Sequence, residues 1–523
     1  MHKSRHMAMD RVPLRNIQHR PRGLLQWIRG ATEGPLLYDI LTIICSLLTI
    51  GCWFSLYRWY SLAEHFAARA FAFDRVPGHL NSTTLRYTVL LFATLTLVYV
   101  VNYWLISRTP SISSRIKLAA IVTIVGSGVV NILMFPVAAI DVFYYLSELK
   151  LTYFYHQNPY LVTFVPSFAA DPFARFAWPL NVPLAYGPAW LLISRPVTTV
   201  VGFDDLYKLV LAYKAFSFLF LVLGGLIIFM YHDDEKRRWL GAFAFLANPF
   251  ILFEAVTNAH NDIIMIAFLL AALLALKRDS SLAGPFLTLA CLVKVFAVVF
   301  IPLFAVAMVM RKWSAAKILL SALLATVAVL VVVQPFWAHG KMLGGMVRGM
   351  NFANSLNTAS PLSFARVYLQ QHHASAHAFS TVRLVFGALF VLSAPAITWK
   401  LGKFERAIAY VLLLLYVLVG SIQPWYWISV IGLLSLKLDW VGFSFLSFAS
   451  GVGLLIYMLD IWARFHSGLS FAHQLFLATL VLNLPIIGFL GLDLWYSHAT
   501  RKRHASLDSI RPFAGRGRLT GEG

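Results

Sequence analysis

The chain contains one apolar run after another of bilayer-spanning length, the first from Leu36 to Tyr57. A spanning helix needs about 20 mostly apolar residues. The remainder of the chain has little with which to build a water-facing surface: 59% of its 523 residues are hydrophobic and 12% are charged. Soluble domains run at about 45–50% apolar and about 25% charged. A water-soluble enzyme is excluded.

Lys and Arg number 43 against 22 Asp and Glu, a net charge of +21. Such an excess serves either nucleic-acid binding or the cytoplasmic flanks of spanning helices, and position decides between them. Lys3, Arg5, Arg11, Arg15, Arg20, Arg22 and Arg29 precede the first apolar run. Their spread is too long for a secretory signal, so 36–57 reads as a retained helix with a cytoplasmic N-terminus. Helices at about 86–107 and 118–140 then put Arg108, Arg115 and Lys117 inside and Asp141 outside. A full crossing by 186–202 would carry Lys236, Arg237 and Arg238 to the outside. That segment, with Pro188 and Pro196, therefore reads as re-entrant or surface-bound.

Further helices are expected at about 208–231, 238–258, 262–276, 317–336, 380–399, 405–421, 424–438, 440–460 and 471–496, with 282–310 going out and back around Lys294. The fold class is an all-α integral membrane protein, a polytopic bundle of about 13–14 helices. Its segments are a basic cytoplasmic stretch (1–35), two leading helices (36–117), a module with the first long external loop (118–310), a C-terminal membrane module (311–497) and a basic cytoplasmic tail (498–523). Long external loops fall at 141–207 and 337–379, and loops of that length usually carry function. The charge is thus topological. No basic groove interleaved with aromatics suggests nucleic acid, and Cys45, Cys52 and Cys291 have neither disulfide nor metal spacing.

The chemistry concentrates in a few polar islands. Asp141 sits where an apolar run meets the external face, in Ala-Ile-Asp-Val-Phe-Tyr-Tyr. Partial desolvation there raises a carboxylate toward the range of a general base, although an ordinary interfacial Asp fits the same position. Tyr144, Tyr145, Asn158-Pro159-Tyr160 and Tyr186-Gly187-Pro188 follow. Aromatic faces with hydroxyl edges suit a sugar, and equally a membrane-surface belt. Asn248-Pro249, Glu254, Asn258, His260, Asn261 and Asp262 form a second island, too costly to leave in hydrocarbon unpaired. It reads as an external turn, either a substrate-binding or catalytic loop or a plain polar turn, with His260 and Asp262 poorly spaced for a metal.

Lys294, alone in an apolar run, is placed at a junction of two half-helices to hold a lipid-linked phosphate, unless it only snorkels to the interface. Arg348 or Lys341, in a loop with Asn351, Asn354 and Asn357, offers a phosphate contact or is equally a solvated loop charge. Gln423-Pro424-Trp425-Tyr426 closes the series at an external helix junction. His372, His373 and His377 read as an exposed loop end.

Taken in order, these motifs resemble GT-C superfamily membrane glycosyltransferases, in particular the bacterial polyprenyl-phosphate-mannose-dependent alpha-mannosyltransferases and glycosyltransferase family 87. The resemblance covers roughly residues 118–460. It implies a polyprenyl-phosphate-linked sugar donor, a lipid-linked or cell-envelope glycan acceptor, inverting transfer at the external face of the plasma membrane, and Asp141 as general base. It implies no metal or other cofactor for this donor class. The competing reading is a transporter or lipid flippase with Asp141 and Lys294 along its pathway.

Overall fold

The computed structural model describes residues 35–67, 82–139, 141–355, 359–373, 376–401, 404–418, 422–437, 439–465 and 467–510. The basic segment 1–34, Asn357, Lys403 and the tail from 511 lie outside the described residues. Apart from an isolated bridge between Ser61 and Met134, the regular structure described is helical throughout.

Helices α1 (Pro35–Trp59), α2 (Ser82–Arg108) and α3 (Ser114–Leu133) pack as a leading trio. The sequence suggested that α3 runs on to residue 140, but it stops at Leu133. Pro136 lacks an amide hydrogen and disfavours helix in the residue before it. Three further contacts hold the exit: Phe135 N–H donates to the Tyr60 carbonyl at 2.7 Å, Met134 N–H donates to Asn131 O, and the buried Lys214 ammonium donates to the Met134 carbonyl.

The external segment then folds into α4 (Asp141–Tyr153) and α5 (Pro188–Val201). Fourteen residues make a helix of about 21 Å, short of the roughly 30 Å of hydrocarbon. Helix α6 (Leu206–Tyr231) is long enough to span. After it, α7 (Glu235–Leu246) is bent by 48° from the helical stretch Pro249–Thr257. Helix α8 (Asp262–Lys277) is apolar on every side and almost wholly buried, packed against α6 and against α9 (Ala283–Val293). An all-round apolar helix must be covered on all faces.

Past α9 the chain breaks at Lys294, makes a short 3-10 turn and continues as α10 (Ile301–Met310). Helix α11 (Ala315–Val333) is equally apolar yet buries only Ser321 and Val332, leaving Leu319 and Val331 about two-thirds exposed. That is the surface of a helix facing lipid tails. Helices α12 (Lys341–Ser355), α13 (Pro361–Gln371), α14 (Ala376–Leu401), α15 (Phe404–Leu418), α16 (Trp427–Ser435), α17 (Trp440–Phe465) and α18 (Phe471–Ile510) complete the fold.

Eight helices among the described residues are long and apolar enough to cross a membrane, nine if the bent pair counts as one span. The expected 13–14 helices include shorter ones such as α8, α9, α15 and α16. The protein is an all-α, multi-pass membrane protein.

One end of the bundle gathers basic residues. The Lys117 ammonium lies 2.6 Å from Glu235 Oε1. Lys236 donates to the Thr109 carbonyl at 2.7 Å, and Lys277 pairs with Asp233 at 3.0 Å. Helix α3 leads away from this end toward Asp141, and α8 returns to it from Asp262. Asp141, the 258–261 turn and the Lys294 break therefore share the opposite end.

Candidate active site

Two stretches of chain converge to place Asp141. After α3 ends, the extended segment 135–139 is pinned where Ala138 N–H donates to Asn258 Oδ1 at 3.2 Å. Asn258 is itself held, its amide donating to Glu254 Oε2 at 2.9 Å. Asp141 then opens α4, where free backbone N–H groups and the helix dipole favour a carboxylate.

The second stretch starts at Asn248. Its Oδ1 accepts from Phe250 and Ile251 N–H at 3.0 and 3.1 Å, and its amide donates to Ser450 Oγ at 2.7 Å. Pro249 follows at the first helical position, where its missing N–H costs nothing. A π-turn over Phe253–Thr257 and the non-helical Ala259, at φ +55°, carry the chain into α8.

The sequence suggested an external turn for 258–261. It is a turn, but Asn258, His260, Asn261 and Asp262 are all fully buried. Only part of their polarity is met inside the protein: both ring nitrogens of His260, Asn261 Nδ2 and Asp262 Oδ1 have no hydrogen-bond partner among the described residues. His260 stacks on the Trp425 indole with ring centroids 4.1 Å apart, its Nε2 lying 3.3 Å from Glu254 Oε2. The Tyr145 hydroxyl donates to Asn261 Oδ1 at 3.4 Å. Asp262 Oδ2 lies 2.5 Å from the Lys294 ammonium, which also stands 5.2 and 5.5 Å from the ring centres of Tyr186 and Tyr426. The expectation that Lys294 clamps a donor phosphate thus meets a buried lysine already neutralised by Asp262.

Tyr186 reaches this place through the glycine beside it. Gly187 N–H donates to the Val293 carbonyl at 3.1 Å, and a Cβ there would stand 2.0 Å from the Leu292 carbonyl oxygen. Only glycine lets the loop lie on the end of α9. The Tyr160 hydroxyl donates to the Tyr186 carbonyl at 2.8 Å, while Asn158 accepts from Tyr160 N–H and donates to Phe336 O. Asn158 and Tyr160 frame the site.

Asp141, Tyr144, Tyr186, Gln423, Trp425 and Tyr426 line one cavity of about 510 Å³. Tyr145, Asn258, His260, Asn261, Asp262 and Lys294 are absent from that lining. Arg348 is exposed and stands off the cavity, although Gly349 and Phe352 on the same helix line it. Sequence reasoning missed Trp178, Phe352, Tyr457, Asp460 and Arg464, which complete the walls. For the last two a signal existed: an acid and a base four residues apart at the end of an apolar run.

Burial pushes the Asp141 carboxyl above its ordinary range, while the charges of His260 and Lys294 draw it down and that of Asp262 pushes it up. Burial also holds the His260 imidazole down at about 4, against the pull of Asp141 and Asp262, so the ring is neutral at physiological pH. The cavity accordingly sets the Asp141 carboxylate among aromatic faces, with the Asp460–Arg464 ion pair also on its walls. Among the described residues no three or more His, Cys, Asp or Glu side chains gather as a metal site.

No curated protein matches this chain. Residues 63–311 match the MptA_B family, described as alpha-(1->6)-mannopyranosyltransferase, N-terminal domain. The match begins well upstream of residue 118, takes in α2, and ends just past α10. Asp141, the 258–262 turn and Lys294 fall inside it; Gln423, Trp425 and Tyr426 fall outside. Residues 63–311, just under half of this multi-pass membrane protein, thus match a family of mannosyltransferases, which supports a glycosyltransferase.

Proposed function

We propose that the protein transfers a hexose, most simply mannose, from a polyprenyl-phosphate donor to a hydroxyl of a lipid-linked or cell-envelope glycan, with Asp141 as general base. The supporting observation is the position of Asp141 on the wall of a sugar-sized cavity faced by Tyr144, Tyr186, Trp425 and Tyr426. Aromatic faces pack on the C–H surface of a pyranose and their polar edges hydrogen-bond to its hydroxyls.

In the proposed step the acceptor oxygen attacks the anomeric carbon from the face opposite the phosphate. The O–H proton passes to the Asp141 carboxylate as the new C–O bond forms. The bond from the anomeric carbon to the phosphate oxygen breaks with its electron pair, releasing polyprenyl phosphate and inverting the centre. A phosphate leaves already stabilised, so one base suffices. The raised affinity of Asp141 for a proton suits that task.

The basic helix ends would face the cytoplasm together with both termini, by the preference of Lys and Arg for that side. The cavity, at the other end, would open to the outside of the plasma membrane. The module 118–310 would supply the base and the C-terminal module 311–497 the facing wall. Lys294 is assigned a positioning role: paired to Asp262 and flanked by two rings, it fixes Tyr186 and Tyr426.

The deciding experiment replaces Asp141 by Asn, which keeps its shape and removes the base. In membranes supplied with a polyprenyl-phosphate mannose and a glycan acceptor, transfer should fall about 10²–10⁴-fold with protein levels unchanged. Full activity in Asp141→Asn would remove this residue from the mechanism.

A further inference from the structure

A second, smaller cavity of about 170 Å³ adjoins the first, and the two share Gln423, Tyr457, Asp460 and Arg464. Its other walls include Ile422, Ile456, Leu475 and Ala478. It lies between α17 and α18, which pack side by side and are both long and apolar enough to span. On α18, Phe476 and Leu480 are about half exposed, as on a helix that meets lipid. The small cavity therefore lies between the sugar-sized one and a helix that carries exposed apolar side chains.

Arg464 stands at the junction. It is the one basic residue among the described walls of either cavity. Its Nε donates to Asp460 Oδ2 at 2.9 Å, and its side chain is 57% exposed. That pairing fixes the plane of the guanidinium and leaves the two Nη groups with no ion-pair partner among the described residues. A planar fork held in this way suits a phosphate, which it can grip with two hydrogen bonds at once. Lys294, spent on Asp262, and Arg348, off the cavity, do not compete for the role.

We propose that Arg464 binds the phosphate of a polyprenyl-phosphate donor and product, with the first isoprene units leaving through the cavity between α17 and α18. The inference rests on the proposed function and adds the seat of its donor. The sugar then occupies the larger cavity with Asp141, the phosphate lies at the neck, and the prenyl chain passes into the bilayer without crossing polar surface.

The test uses the full chain in membranes and a polyprenyl monophosphate carrying a photoreactive group in the isoprene units next to the phosphate. Labelled peptides are expected from α17 and α18 around Ile456 and Leu475. Arg464→Gln should remove most of that label and raise the donor KM roughly ten- to a hundredfold, the effect of losing a hydrogen bond to a charged group, with kcat little changed. Arg464→Lys should restore part of both. Leu475→Trp should block a long-chain donor while sparing one with a single isoprene unit.

Label that lies elsewhere, or that survives in Arg464→Gln together with an unchanged KM, overturns the proposal. Label on α17 and α18 in a protein that moves no sugar from any such donor would overturn the proposed function and leave this binding site standing.

Discussion

Asp141 owes its position to residues more than a hundred places away in the chain. Asn258 holds the peptide three residues before it, and Glu254 holds Asn258. The carboxylate is thus set by backbone anchoring and opens directly onto the cavity. Its acid–base behaviour follows from its surroundings. Burial raises its pKa above the ordinary value of 3.8, so on acidification the carboxylate takes up its proton earlier than an exposed aspartate does. The active form is present above that raised pKa and lost as pH falls through it. The acid limb of the kcat/KM profile should therefore have its midpoint above 3.8. A midpoint at or below the ordinary value, measured with a donor whose own ionisation is known, would contradict the assignment.

At the scale of elements, close backbone approaches hold the site together. Gly187 lies against the end of α9, and Gly345 and Gly349 let α12 lie on the carbonyls of Tyr160 and Pro183. In Gly187→Ala the added methyl meets a carbonyl oxygen that has no rotamer to escape through. Overpacking of this kind costs about 1–3 kcal/mol. The variant should show that loss in thermal unfolding in detergent, with the Tyr186 loop displaced and activity reduced; unchanged stability would show that the loop can shift freely.

Helix α12 also shows where reading the sequence stopped. Gly345, Gly349 and Phe352 are four and three residues apart and so share a face, which turns toward the external loop and the cavity. Arg348, one position away, points elsewhere. Sequence reasoning chose the charged residue because nothing in a single chain tells which face of an isolated amphipathic helix is covered. By contrast, Asp141, Tyr144 and Tyr186 were legible, because their signals are local: a carboxylate ending an apolar run, and aromatic residues beside Gly-Pro. The buried state of His260 and Asp262 was not legible. It rests on the Trp425 indole and the Lys294 ammonium, brought against them by tertiary packing. The early end of α3 was readable in part, since Pro136 marks it, while the Lys214 contact that completes it was not.

For the whole molecule, the basic end and the cavity end are separated by the length of α3, about 30 Å for its twenty residues. This is the thickness of the hydrocarbon core. The two ends should therefore label from opposite sides of the membrane. With the three native cysteines replaced, single cysteines at Ser280, beside the basic end, and at Ser467, beyond α17, should react with a membrane-impermeant maleimide in opposite vesicle orientations. Labelling of both from one side would overturn the arrangement in which the cavity faces outward. The number and approximate limits of the long spans were readable from hydropathy, whereas the short helices α8, α9 and α16 depend on burial within the bundle that hydropathy alone cannot separate from lipid exposure.

The cavity is also a seam. Asp141, Tyr144 and Tyr186 come from the stretch shared with the mannosyltransferase family, while Phe352, Gln423, Trp425, Tyr457 and Arg464 come from beyond its end at residue 311. His260 stacked on Trp425 is where the two stretches meet face to face. The walls of the cavity are thus carried on two separate lengths of chain. A lineage can redraw the second while leaving the first alone, so kinship read from residues 63–311 speaks for one side of the seam and leaves the other free to diverge.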